Sequence, residues 1–191
     1  QAIKMPLQAA EAIELPDLIC RGYVEQVKDP YLSEKGVYHV LPINIKANGY
    51  GKDGTFFFLF RPEWFGSKFD PKSLLDGTEQ GRRLYGNYRR FIADRQNKSI
   101  LTILAGDNFD ALAAEFDGNE NPTPEEIAAA MKSYLTGNEV GYIMTQRKDQ
   151  DGYLTDNYNI DRFFSLTNED IDRVIRAAER RKKDTVVTWE D

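Results

Sequence analysis

Cations alternate with aromatic residues in the segment 82–98, RRLYGNYRRFIADRQNK. Guanidinium and ammonium groups neutralise phosphates, and aromatic rings stack on bases, so this combination is typical of surfaces that bind single-stranded nucleic acid. The residues that this interpretation assigns to the contact are Arg82, Arg83, Tyr88, Arg89 and Arg90. The alternative is a solvated helix face that carries the arginines, while Tyr85, Tyr88 and Phe91 pack inward.

A second candidate surface is the segment TFFFLF, residues 55–60, which is apolar on both faces. Side chains alternate along a strand, so Phe56, Phe58 and Phe60 point one way while Phe57 and Leu59 point the other. Only one of these sets can face the core of its own sheet. The other set is either covered by the helices that follow or forms a platform on which bases stack. The platform interpretation selects Phe56 and Phe58, flanked by Tyr38, Asn44 and Lys46.

Residue types that catalyse reactions or hold metals are scarce. His39 and Cys20 are the single histidine and the single cysteine of the chain, which excludes the usual zinc ligand sets. His39 falls among the apolar positions of a strand, so we expect it to be a core residue. The acidic turn around Gly152 fails the calcium-loop pattern, because Arg147 and Tyr158 would take its first and last ligand positions. We therefore expect no catalytic residue, no metal and no cofactor.

The composition limits the class of protein. A formal net charge of -6 argues against a chain coated with basic surface for duplex DNA. One cysteine cannot form an internal disulfide, so nothing indicates an oxidising compartment. The sequence contains no apolar run long enough to cross a membrane, and no signal peptide is visible. These features predict a cytoplasmic protein without a membrane segment.

Alternation and turn residues divide the chain into elements. Strands are predicted at 18–27, 37–46, 55–60, 139–147 and 158–164, with a bulge or bend at Gly22 and an edge position or bulge at Pro42. Thr123 begins a capping box for a helix that ends near Leu135. Thr167 caps a last helix over 167–183, and its apolar stripe, which includes Ile175, is expected to be buried.

The order of these elements predicts an α+β fold. We expect an OB-like five-stranded β-barrel with a helical insert between strands 3 and 4 and a C-terminal helix. Residues 1–191 would form a single domain, with barrel strands in 18–60 and 139–164, the insert in 61–137 and an acidic tail after the last helix. The competing arrangement is a split α+β sandwich.

Two segments carry a family resemblance, INIKANGYGKDGTFFFLF and NYNIDRFFSLTNEDIDRV. With the strand order and the acidic end, they resemble OB-fold single-stranded-DNA-binding proteins of bacteriophages. The resemblance covers the layout of about residues 18–180. It implies a non-catalytic protein that coats single-stranded DNA in the cytoplasm of a bacterial host, during replication or recombination and with little sequence specificity.

Two further expectations concern proteins as partners. The acidic C-terminal end is a candidate contact for replication or recombination proteins. The alternative function, from a different class, is a phage structural or adaptor protein that uses the aromatic face as a protein interface.

Overall fold

The structure is a computed structural model that describes residues 18–49, 51–93 and 98–190, with side chains as far as residue 181. An antiparallel sheet packs against helices, so the chain is an α+β protein. The acidic chain end, which is predicted to contact partner proteins, lies outside the described side chains. Arg95 of the basic segment 82–98 lies outside the described residues.

Six strands form the sheet: β1 (Leu18–Val27), β2 (Tyr31–Leu32), β3 (His39–Ala47), β4 (Gly54–Phe60), β5 (Glu139–Lys148) and β6 (Leu154–Phe164). Hydrogen bonds join β3, β1, β5 and β6 in that order. Along the edge of β3 that faces β1 the chain also forms β2, and β4 pairs with the other edge of β3. The sheet is open, because β4 and β6 are not hydrogen-bonded to each other in the described chain. The predicted closed five-stranded barrel is therefore not observed, and β2, which is too short to show alternation, was missed.

The helices are α1 (Glu79–Phe91), α2 (Ile100–Ala105), α3 (Phe109–Ala114), α4 (Pro124–Leu135) and α5 (Asn168–Glu190), with short 3-10 turns at Pro62–Phe65, Pro71–Leu74 and Gly106–Asn108. The first four helices lie between β4 and β5, as predicted for the insert. The capping box of α4 is confirmed: Glu126 N donates to Thr123 Oγ1 over 3.1 Å, and Thr123 N donates to Glu126 Oε1 over 3.0 Å. No described helix has both the length and the apolar character of a membrane span.

Pro42 lies in a central strand, between β4 on one side and β1 with β2 on the other. Its carbonyl accepts from Lys28 N over 2.9 Å, so its nitrogen also faces the gap between β1 and β2. Because the neighbouring strand is interrupted there, the missing N–H costs no ladder hydrogen bond. The prediction of an edge position is corrected accordingly.

The irregularity of β1 also differs from the expectation. A bulge separates Val24 from Gln26, so it does not lie at Gly22. Gly22 instead marks a close approach of β1 to β3, where an added Cβ would lie 2.1 Å from the carbonyl oxygen of Lys46.

The start of α5 agrees with the prediction, because Asp170 N donates to the Thr167 hydroxyl over 3.2 Å. The helix continues to Glu190, beyond the predicted end. The expectation that Ile175 is buried is wrong, since its side chain is 41% exposed. The helical spacing of apolar residues located the stripe, but the tertiary neighbours cover it only in part.

Candidate nucleic-acid interface

The core side of β4 is filled by aromatic rings. Phe56 and Phe58 are 6% and 0% exposed. The centroid of the Phe58 ring lies 5.3 Å from that of Phe91 in α1, and the Phe56 centroid lies 4.9 Å from that of Phe163 in β6. These rings are covered by the helical insert and by β6, so no base can stack on them in this structure. The predicted assignment of Phe56 and Phe58 to the contact surface is corrected on this ground.

Phe57 points to the opposite side of β4 and is 53% exposed. It pairs with Pro42, and Thr55 pairs with Asn44 two residues further along the ladder. Since residues i and i+2 of a strand share a face, all four side chains lie on the outer side of the sheet. The sequence did not determine whether this side of β4 is covered or exposed. In the structure it is exposed, and its aromatic residue on β4 is Phe57.

A polar row crosses three strands beside Phe57. Thr55 Oγ1 donates to Asn44 Oδ1 over 2.9 Å, and Asn44 Nδ2 donates to Gln26 Oε1 over 3.4 Å. The row runs from β4 through β3 to β1 and holds the Asn44 amide in one orientation. It presents amide and hydroxyl groups next to an exposed ring, which suits a ligand with both polar edges and an apolar face.

Lys46 lies on the same face as Asn44, two residues further along β3. It is exposed and its ammonium nitrogen is 3.9 Å from Glu25 Oε1, with about half of each side chain in solvent. An exposed pair of this kind contributes little stability, so Lys46 can exchange its partner for a phosphate at small cost.

Tyr31 adds a second ring to this face. It pairs with Val40 of β3 and is 50% exposed. Tyr31 and Phe57 flank β3 on its two sides, offset by two residues along it, since Tyr31 pairs with Val40 and Phe57 with Pro42. We call the outer face formed by these residues the strand surface. It consists of Gln26, Tyr31, Asn44, Lys46, Thr55 and Phe57.

The turn between β3 and β4, which adjoins the strand surface, is tied to the sheet. Ala47 N donates to Asp53 Oδ1 over 2.8 Å, and Tyr142 Oη donates to the Lys52 carbonyl over 2.7 Å. Burial raises the pKa of the Tyr142 phenol far above its usual value, so the phenol keeps its proton and remains a donor at ordinary pH. Burial likewise raises the pKa of the Cys20 thiol, which is therefore a poor nucleophile.

Tyr38 and Tyr88 belong to an aromatic cluster around Trp64. Ring centroids are 6.1 Å apart for Tyr38 and Trp64, and 5.6 Å apart for Trp64 and Tyr88. Tyr38 Oη also accepts a hydrogen bond from Asn87 Nδ2 over 2.8 Å. Both tyrosines are half-buried, and Tyr38, which directly precedes β3, contacts α1 through Asn87. These two predicted stacking residues thus help to pack α1 against the rest of the protein.

The four arginines of α1 share its solvent side. Arg82, Arg83, Arg89 and Arg90 are exposed, whereas Gly81 and Phe91 are buried and Leu84, Tyr85, Asn87 and Tyr88 are half-buried. The helix thus has a packed face and an arginine face, the name we use for those four residues. The alternative of inward-packing aromatics with outward arginines describes this helix correctly.

The arginine face and the strand surface point away from each other. Phe91 packs against the core-side ring of Phe58, which places α1 on the core side of β4. The arginines point away from that core, and Phe57 points to the other side of the sheet. Lys46 is also distant from the Tyr38 cluster, since eight residues of extended chain span about 26 Å. The structure therefore does not bring the sequence-predicted residues together. Lys46 lies on the strand surface and the four arginines on the arginine face, whereas Tyr38 and Tyr88 lie in the Trp64 cluster and Phe56 and Phe58 in the core.

Reasoning from the sequence missed Phe57, Tyr31 and Gln26. The signal for Phe57 was present, because alternation in TFFFLF gives two sets of rings and the set with fewer aromatics is the exposed one. No group of three His, Cys, Asp or Glu side chains in the described residues is arranged to hold a metal ion. No protein-family model matches the chain, and a search of curated proteins finds no match to its sequence.

Proposed function

We propose that this chain binds single-stranded DNA with little sequence specificity, through the strand surface. The observation that carries the proposal is Phe57, a phenylalanine 53% exposed in the interior of a paired strand, beside the hydrogen-bonded row of Thr55, Asn44 and Gln26. A base can stack on the ring, and the row offers donors and acceptors that suit any base edge.

The strand order supports the same proposal. The pairing sequence β4-β3-β1-β5-β6 is the order of an OB barrel, in which the ends of the path approach each other. Phe56 of β4 lies against Phe163 of β6, and a Cβ at Gly54 would lie 3.0 Å from Ile160 Cδ1. The two edge strands thus meet through side chains. In OB folds the outer face of the second and third barrel strands, here β3 and β4, is the ligand surface.

The resemblance to phage proteins adds a biological role to the proposal. In this role the chain coats single-stranded DNA in the cytoplasm of a bacterial host during replication or recombination. The negative net charge is compatible with this role, because the affinity would come from local cations and from stacking.

The proposal is tested by fluorescence anisotropy with a labelled oligo-dT. Phe57→Ala should weaken binding about 5- to 150-fold, because one stacked base contributes about 1–3 kcal/mol. Tyr153→Ala is the matched control, since Tyr153 is 47% exposed but lies next to the β5–β6 turn, outside the strand surface. Equal affinities for the wild type and the Phe57 variant would contradict the proposal.

A second candidate is a structural or adaptor protein. Tyr31, Leu32 and Phe57 are all at least half exposed, and exposed apolar residues of this kind also form protein interfaces. In that case the chain binds no oligonucleotide at low salt, and Phe57→Asp abolishes association with a protein partner.

A further inference from the structure

The arginine face is built around a glycine. Arg82 and Arg89 are seven residues apart, as are Arg83 and Arg90, so the four residues form two rows that run along the helix. Each row spans about 10.5 Å, at ~1.5 Å per residue. With about 100° of rotation per residue, Gly86 falls between the two rows and near their middle. All five positions are exposed.

The packing of the protein does not require a glycine at this position. A Cβ on Gly86 would meet nothing within 4 Å, and Gly86 is not among the glycines with positive φ. Inside a helix, glycine is about 0.5–1 kcal/mol less favourable than alanine. Its remaining advantage is that a ligand can approach the backbone closely. The absent side chain leaves a hollow between the arginines that is open to solvent.

The charges around this hollow favour an anion. Glu79 forms an ion pair with Arg83 over 2.9 Å, and both side chains are at least 70% exposed, so the pair is weak and exchangeable. Arg89 donates to Tyr85 Oη over 3.3 Å, and the Arg90 guanidinium lies 5.2 Å from the centroid of the Phe91 ring. The contact with the Phe91 ring orients the Arg90 guanidinium without cancelling its charge. Arginine is the side chain best suited to bind phosphate oxygens in pairs.

We infer that the arginine face binds the phosphates of a second stretch of single strand, so that one chain bridges two strands. This inference rests on the proposed function. Because Phe57 and the arginines lie on opposite sides of β4, no nucleotide can contact both surfaces. A short strand on the strand surface therefore leaves the arginine face open, and the protein can bring two separate strands together.

Calorimetric titration with an oligo-dT of about eight nucleotides, within the length that one OB fold covers, tests the inference. The wild type should bind two oligonucleotides per chain. Gly86→Glu places a carboxylate among the arginines and should leave one. Ala129→Glu, the matched control, adds the same charge on the exposed side of α4 and should leave two. Since a mutant can fail by misfolding, the double variant Arg82→Gln with Arg83→Gln provides an independent test and should also leave one, and thermal melting checks each protein.

Bridging itself is measured by energy transfer between two such oligonucleotides, one carrying a donor dye and the other an acceptor. Transfer should appear with the wild type and Ala129→Glu, and disappear with Gly86→Glu. One bound oligonucleotide per wild-type chain, lost in Phe57→Ala and unaffected by Gly86→Glu, would overturn the inference and leave the proposed function intact. Two bound oligonucleotides that persist in Gly86→Glu would also overturn it. No binding to the wild type would overturn both.

Discussion

Phe57 and Phe58 are neighbours in β4, yet Phe57 is 53% exposed and Phe58 is fully buried against Phe91. The two rings therefore separate binding from stability. Phe58→Ala should lower the free energy of unfolding by about 3–5 kcal/mol, because it leaves a cavity in the core. Phe57→Ala should change it by no more than about 0.5 kcal/mol. Urea unfolding of both variants checks this, and similar losses in the two would contradict the assignment of their faces.

Two glycines should respond in opposite ways to the same substitution. In Gly22→Ala the new methyl group would lie 2.1 Å from the Lys46 carbonyl oxygen, so β1 and β3 must separate and the protein should lose several kcal/mol of stability. In Gly86→Ala the methyl group meets nothing, and the helix should gain about 0.5–1 kcal/mol. Thermal melting should place the wild type between the two variants. A lower melting temperature for Gly86→Ala would mean that the helix needs glycine for a reason inside the fold.

Asp170 should make the stability of the protein depend on acid pH. Burial raises the pKa of its carboxyl, but hydrogen bonds from Lys98 and Thr167 and the charges of Lys98 and Arg173 outweigh burial, so the pKa lies below its usual value. The folded state thus favours the carboxylate. This stabilisation is complete above the pKa that the Asp170 carboxyl has in the unfolded chain, about 3.9. It is lost as the pH falls through the lower folded pKa.

The measurement is urea unfolding of the wild type and Asp170→Asn as a function of pH. The difference between their unfolding free energies should be constant at neutral pH and shrink below about pH 4. A difference that stays constant down to the lowest accessible pH would show that the ionised form of Asp170 does not stabilise the fold.

The arginine face should contribute through electrostatics alone. Each phosphate contact on a single strand contributes about -0.7 to the slope of log affinity against log salt concentration. Arg89→Ala with Arg90→Ala should therefore flatten the slope for a long oligo-dT by about 1.4. Phe57→Ala should weaken binding and leave the slope nearly unchanged. An unchanged slope in the arginine variant would show that these two residues do not touch phosphate.

The elements of the fold were largely predictable, because they depend on local chemistry. The alternation in β3 and the capping box at Thr123 are short-range signals, and each located its element within a few residues. The extent of pairing and burial depends on distant partners. The open edge between β4 and β6 and the exposure of Ile175 are set by what packs against them, which no local pattern contains.

The residue types of the candidate site were predictable from the sequence, but the sides of the sheet on which they lie were not. The basic character of α1 and the aromatic character of β4 were evident in the sequence. Their placement on opposite sides of the sheet follows from one contact, Phe91 against Phe58, between residues 33 positions apart. That contact turned Phe58 into a core residue and gave the outer face to Phe57.

Binding of a labelled oligo-dT by the wild-type chain, compared with a duplex of equal length at two salt concentrations, measures whether the chain is a single-strand binder. The single strand should bind more tightly than the duplex, and its affinity should fall as salt rises. Absence of binding to the single strand at the lower salt concentration, or a preference for the duplex, would contradict the proposed function.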